Sequence, residues 1–501
     1  MRKLQISLAR GFLLLFGCAV ALAGTLGAQR IDALTPPVRK YVSVSTSKVI
    51  LEHVQVIDGT GAPAASDQNI YIENGKITAI SAGSDEPSAT DTTILNLSGD
   101  SVMPGIVGMH EHLYDAVYPN LTPDFNFERP SVVKEMTFSA PRLSLANGVT
   151  TMRSTGTYDT YADLKLHADI DASVVPGPHI DVTGMYLQGG GSTTQPNGFL
   201  TGPEDARQTV AFWADRGVTS FKAYTNITRA ELRAAIEEAH RHGLKVTGHL
   251  CSVTYPEAIE AGIDNLEHGF FTNTMNDPGK KPDTCSESRG DYTLEHMAAD
   301  SDEAKRLLAS LVEHHVAITS TLPGQAAAVA RDAAPDGKPP LPAAALESMS
   351  PAARQTYFYW RNRPRTIDPK QALLLRREME MERAFVAAGG LLLAGADPGG
   401  NGGGANLPGF GDQREIELLV EAGFTPLQAI RIATLNGATF LGRDKQIGSI
   451  APGKNADLLV VKGDPASKIS DIENVEIVFK DGVGYDRQKL LDAVKGHYGE
   501  Y

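Results

Sequence analysis

His110 and His112 stand two residues apart at the end of the apolar run Val102 to Asp115, V-M-P-G-I-V-G-M-H-E-H-L-Y-D. On a β-strand successive side chains alternate between faces, so both imidazoles reach one point and can offer two nitrogens to one metal ion. A lone H-x-H is weak evidence, because 13 His in 501 residues give about a one-in-three chance of finding one. The chain carries a second, His240-Arg241-His242, at the end of the helical run Arg229 to His242 and just before Gly243. Residues i and i+2 do not face each other on a helix, and cationic side chains suit a helix C-terminus. That pair reads as solvated capping, and the first gains weight only from what positions it.

The middle of the chain alternates strand and helix patterns. Candidate strands are Gly105 to His112, Gly148 to Ser154, His179 to Tyr186, Val218 to Tyr224, Lys245 to His249, Asn265 to His268, Val316 to Thr321 and Leu391 to Asp397. Amphipathic stretches such as Ala206 to Arg216, Arg229 to His242 and Lys370 to Ala388 fall between them. Eight strands with intervening helices predict an α/β fold, a (β/α)8 TIM barrel, whose chemistry gathers at the C-terminal ends of the strands. His110, His112, Lys222, His249, His268 and Asp397 all lie at or near such ends. Core histidines placed at random would not keep that address, so the set reads as a metal site.

Outside the barrel, Lys48 to Met103 reads as short strands with a tight turn at Asn74-Gly75, too few to bury two faces alone. Matching strands, Ala456 to Val461 and Val475 to Lys480, appear near the other end. The economical arrangement is a small discontinuous β-sandwich domain from residues 48–103 and 442–488. The barrel then occupies 104–441, with insertions at 270–300 and 323–369.

Arg2, Lys3 and Arg10 precede the apolar run Gly11 to Ala23, which ends in the cleavage-like Ala21-Leu22-Ala23. This predicts a signal peptide over 1–23, cut after Ala23 or as late as Ala28, and a periplasmic or secreted protein without a stable membrane anchor. The full chain carries a net charge of −14, and loss of the leader removes three basic residues and no acidic one. So acidic a chain is unsuited to nucleic acid. Cys251 and Cys285 remain, enough for one disulfide but not for a disulfide framework.

With these residues in place the chain resembles the metal-dependent amidohydrolase superfamily, near its imidazolonepropionase-like and Xaa-Pro dipeptidase-like branch. The motifs are V-I-D-G-T-G, I-E-N-G-K-I-T-A-I, V-M-P-G-I-V-G-M-H-E-H, S-F-K-A-Y, G-H-L, E-H-G, L-L-A-G-A-D, A-T-L-N-G-A and I-A-P-G-K-N-A-D-L-L-V-V. The resemblance implies two divalent ions, zinc by preference with manganese or iron as alternatives. His110 and His112 would hold the first, His249 and His268 the second, and Lys222 would bridge them. A bridging Lys222 must first react with carbon dioxide or bicarbonate to give a carbamate, since an ammonium repels a dication. Asp397 would bind the first ion and act as general base, taking the proton of a metal-bridging hydroxide and passing it to the leaving nitrogen.

Two further residues could meet the substrate. Tyr224 shares an inward face with Lys222 and could donate a hydrogen bond to the developing oxyanion. Arg153, near the end of the second strand, could hold a substrate carboxylate by its planar fork. Related sequences often carry Arg-Asp there, and this one has Arg153-Ser154. Tyr357, Phe358, Tyr359 and Trp360 in the long insertion are candidates for a lid or for that insertion's own core. The expected reaction is cleavage of the C–N amide bond of a small-molecule substrate, a dipeptide or N-acyl amino acid. Ring opening of a lactam, imidazolone or lactone is the alternative, and a non-catalytic binding protein the remote one. Homo-oligomers are implied by the resemblance alone.

Overall fold

A computed structural model describes residues 34–83, 91–117, 132–190, 199–333, 341–362, 369–399 and 406–501. Residues 1–33 (which include the expected signal peptide over 1–23), most of the glycine-rich run Gly399 to Gly404, and the side chains of Tyr359 and Trp360 lie outside these residues.

All eight strands expected in the middle of the chain form, each a little shorter than its apolar run. Ile106–Glu111, Val149–Ser154 and His179–Val182 make one parallel sheet. Ser220–Ala223, Lys245–Gly248, Asn265–Glu267, Ala317–Ser320 and Leu392–Ala394 make a second parallel sheet, in chain order. The third and fourth strands meet through the parallel bridges Thr183 to Ser220 and Leu187 to Ala223. Strand eight reaches strand one through the Asp397 N–H, which donates to the His110 carbonyl at 2.8 Å. This is a TIM-barrel-like α/β fold. Gly395 allows the approach of strands eight and one, since a Cβ there would collide with the backbone and Cβ of His110.

The helices begin where their sequences cap them. Thr228 and Glu231 form a reciprocal capping box for Arg229–Arg241, and Thr254 and Glu257 do the same for Tyr255–Ala261. His240 and His242 close the first of these helices, with His240 against Asp264 and His242 against Glu238. Among the described residues, no helix is long and apolar enough to cross a membrane.

Strands from both ends of the chain share one nine-stranded sheet. Its centre is the antiparallel pairing of Leu458–Lys462 with Asp100–Pro104, beside Lys48–Val56. The sheet has its own apolar cluster, including Leu51, Val54, Ile72, Ile77, Val102, Leu458 and Phe479. Asn74 and Gly75 turn the hairpin between Ala65–Glu73 and Lys76–Ala82 with φ of 48° and 79°, as a two-residue turn demands. Against the barrel the sheet presents the turn residue Asp481, whose carboxylate meets His179 Nε2 at 2.8 Å.

Candidate metal centre

Ile106–Glu111 is buried at every position, and alternation sends His110 and His112 to the barrel interior while Glu111 points the other way. His112 Nε2 lies 3.1 Å and His110 Nε2 3.4 Å from the same oxygen, Asp397 Oδ1. His268 Nδ1 stands 3.8 Å from the other Asp397 oxygen and 2.9 Å from Thr321 Oγ1. The His268 ring packs 4.5 Å from that of His110 and 4.3 Å from that of His249. Lys222, only 1% exposed, brings its Nζ to 3.0 Å from His110 Nε2. The six residues singled out in the sequence thus lie in one contiguous cluster, in which His110, His112 and Asp397 bring ligand atoms within reach of a single ion.

Two of them sit in left-handed backbone, His268 at φ 64° and Asp397 at φ 49°. The turn at His268 has a consequence for its neighbour. In a regular strand Glu267 and His268 would face opposite sides, but with the chain turning at His268 both approach the centre. Glu267 Oε2 accepts from His110 Nδ1 at 2.7 Å. That bond places the proton on Nδ1 and leaves the Nε2 lone pair directed at the cluster, a common support for a metal-binding imidazole.

The electrostatics suit a cation. Burial, aided by the Lys222 charge, pushes His110 down to about 4, and burial with His110 pushes His268 down to about 3. Burial likewise lowers His112 and, reinforced by His268, carries His249 well below its ordinary value. Burial opposes ionisation of Asp397, but His110, His112 and His268 outweigh it and hold the carboxyl well below the usual range. Neutral imidazoles beside an ionised carboxylate form a donor set that fits divalent ions. Burial brings Lys222 down to about 8, which enlarges its neutral amine fraction.

Arg153 is not where a substrate carboxylate could meet it. It is 1% exposed and lies beneath the cluster: Nε and Nη2 donate to the Met109 carbonyl at 3.0 and 2.7 Å. Nη2 also reaches Asn265 Oδ1 at 2.8 Å and Glu267 Oε1 at 2.7 Å. Arg153 thus points inward but lies too deep to present its guanidinium to a substrate. Tyr224 is half-buried with its ring 4.9 Å from that of His249. Cys251, two residues past His249, is bonded to Cys285 and so ties the loop after strand five to the insertion after strand six. Tyr357 is buried, and its ring packs 5.2 Å from that of the partly exposed Phe358.

Sequence reasoning missed an aromatic wall beside the cluster. Tyr114 packs on His112 at 4.8 Å, and its hydroxyl meets that of Tyr186 at 2.7 Å. Tyr158 packs against both rings, and Tyr186 packs 4.9 Å from Tyr224. Tyr114 continues the i, i+2 series of His110 and His112, and Tyr186 closes the candidate strand His179 to Tyr186, so both carried an available signal, although the strand itself ends at Val182.

The chain belongs to the amidohydrolase family, whose model matches residues 101–483. In fold it is similar to a Xaa-Pro dipeptidase solved with bound methionine (TM-score 0.63, 21% identity, 88% of this chain and 100% of that one). A bottromycin amidohydrolase superposes with TM-score 0.64 at 21% identity over 93% of this chain and 96% of that one. Among curated proteins, an uncharacterized protein of Mycobacterium tuberculosis is 25% identical over 250 residues, 48% of this chain. The chain spans 59% of that relative's length. Adenine deaminase 1 of Latilactobacillus sakei is 44% identical over 62 residues, 12% of this chain and 9% of that protein.

Proposed function

We propose that this protein is a metal-dependent hydrolase of C–N amide bonds with a binuclear centre. The observation that carries the reading is the convergence of four imidazoles and the Asp397 carboxylate around the buried Lys222 amine, 3.0 Å from His110 Nε2. His110, His112 and Asp397 would hold one ion and His249 and His268 the other, with Lys222, as its carbamate, between them. Two such ions, zinc by preference, supply an acidified water and polarise the scissile carbonyl.

The chain's own groups do the rest. Asp397 takes the proton from the attacking water at a carboxylate oxygen and delivers it to the departing nitrogen. Tyr224, two residues beyond Lys222, donates its hydroxyl to the carbonyl oxygen as charge develops there. Glu267 keeps His110 in one tautomer throughout. With Arg153 beneath the site, a free substrate carboxylate loses its expected holder. The dipeptide and N-acyl amino acid reading therefore rests on the fold's likeness to a Xaa-Pro dipeptidase, and lactams and simple amides belong beside them as substrates to test.

The separate apolar cluster of the nine-stranded sheet supports reading 48–103 and 442–488 as the small β-sandwich domain around a (β/α)8 barrel at 104–441. The leader-like first 23 residues support export to the periplasm or beyond.

The test is metal content per chain, with activity on dipeptides, N-acyl amino acids, simple amides and lactams, for the wild type and Lys222→Ala. About two ions per chain, falling together with amide cleavage in Lys222→Ala, supports the reading. About one ion, unaffected by the substitution, overturns the binuclear centre and favours ring opening on a mononuclear site.

A further inference from the structure

Helices normally turn apolar residues toward a core, yet two helices behind this site bury acids. Pro369–Ala387 buries Glu378 and Glu382, spaced i, i+4, and Phe410–Glu421 buries Asp412 and Glu415, spaced i, i+3. Strand one adds Glu111, pointing away from the two histidines that flank it. All five are at most 3% exposed. They form a row: a Cβ on Gly108 would stand 2.9 Å from both Asp412 Oδ1 and Glu111 Oε1, Glu415 faces Asp412 and Glu382, and Glu382 faces Glu378.

The row meets the site at the backbone. The Phe270 N–H donates to both oxygens of Glu378, at 2.8 and 2.9 Å, two residues after His268. The Ala396 N–H donates to Glu111 Oε1 at 3.0 Å, one residue before Asp397. The Leu322 N–H donates to Glu415 Oε2 at 2.9 Å, one residue after the Thr321 hydroxyl that contacts His268. His268 and Asp397 are the two cluster residues in left-handed backbone, a conformation that persists in a non-glycine residue only when its surroundings impose it. Each has a buried carboxylate gripping a peptide N–H within two residues of it. Gly269 completes the fit, because a Cβ there would collide with Glu378 Oε1.

We propose that Glu378 and Glu111 are positioning residues, each clamping one peptide N–H so that His268 and Asp397 hold the turned backbone that aims them at the centre. The proposal rests on the reading of those two residues as ligands. Glu378 grips a peptide N–H of the loop after strand six, and Glu111 one at the end of strand eight. A carboxylate that merely fills space would not have that selectivity.

The experiment uses the full chain and four variants, Glu378→Met, Glu378→Gln, Glu111→Met and Glu111→Gln, with zinc titration and amide hydrogen exchange. Glu378→Met removes the acceptor at nearly constant volume. It should speed exchange over residues 268–271, leave 395–397 protected, and weaken the second zinc by about 10- to 100-fold. Glu111→Met should show the reverse pattern, with the first zinc weakened. Each Gln variant keeps an acceptor and should restore wild-type zinc binding and exchange in its own loop. A Met variant that will not fold is replaced by the Asp variant, which draws the acceptor back by one methylene and should loosen the same loop. Wild-type exchange and zinc affinity in the substituted loop, or equal loosening of both loops, overturns the proposal. A wild type that takes up no zinc sinks the hydrolase reading instead, and the exchange pattern still decides this one.

Discussion

Arg153 and Glu267 form an ion pair 2.7 Å long, both side chains sealed from solvent, under the histidine cluster. The other Glu267 oxygen is 2.7 Å from His110 Nδ1, so the guanidinium, the carboxylate and the first imidazole make one chain of contacts. Burial alone would make Glu267 a weaker acid and favour its neutral form. Arg153 and His110 instead hold it ionised, its carboxyl well below the usual range. The charge that orients His110 is thus balanced from beneath, away from substrate.

Arg153→Met is therefore expected to act on stability. Removing one partner of a buried pair leaves the other charge uncompensated, at a cost of about 3–5 kcal/mol. Denaturant melts should show that loss, and the surviving folded enzyme should keep its KM for substrates with and without a free carboxylate. A raised KM confined to carboxylate-bearing substrates, with unchanged stability, would return Arg153 to the substrate.

Tyr224→Phe isolates the hydroxyl. The ring contacts to Tyr186 and His249 survive the change, so stability and metal content should stay at wild-type values. Loss of one donor to a developing oxyanion lowers kcat about 10²- to 10³-fold with little change in KM. Steady-state kinetics decides it: a kcat within a few-fold of wild type would leave Tyr224 as packing.

The strand ends were legible because two periodicities agreed there. Alternation put His110 and His112 on one face, and apolar runs closing in His, Lys or Asp recurred at Lys222, His249, His268 and Asp397. The supporting contacts were not legible. Glu267 reaches His110 across 157 positions and Glu378 reaches Phe270 across 108, and no local pattern encodes such pairs. Arg153 shows the limit from the other side: alternation gives the face of a residue, whereas its depth along the barrel axis depends on the stagger of neighbouring strands.

The Cys251–Cys285 bond closes a 34-residue span between the loop after strand five and the insertion after strand six. Loop-closure entropy for that span is worth about 3–4 kcal/mol. The double variant Cys251→Ala, Cys285→Ala should lose stability of that order and become insensitive to reductant, whereas the wild type should melt earlier when reduced. Thr274 Oγ1 donates to the Cys251 carbonyl at 2.9 Å, a contact that outlives the disulfide. Activity at low temperature should therefore fall by less than about tenfold. Equal stability of the oxidised and reduced wild type would remove the bond from the account of the fold.

Asp163 supplies a pH dependence separate from the metal centre. It is 2% exposed at the start of the helix Thr160–Asp171, beside Glu135 and Asp159. Burial raises its carboxyl to about 7, against the opposing pull of the Ser154 and Thr157 hydroxyls. A carboxyl raised on folding binds its proton more tightly in the folded chain. Its stabilisation is complete below the ordinary pKa near 3.8 and is lost as pH climbs through about 7. Asp163→Asn fixes the group in its neutral state. The variant should match the wild type near pH 4, gain on it progressively toward pH 7, and hold a constant advantage above, up to about 4 kcal/mol by linkage. Glu135 is itself raised to about 8 by burial and by the charge of Asp163, so neutralising Asp163 should also lower the pH at which Glu135 ionises. Melting curves of both proteins from pH 4 to 9 make the comparison, and a difference independent of pH would show that Asp163 is ionised throughout.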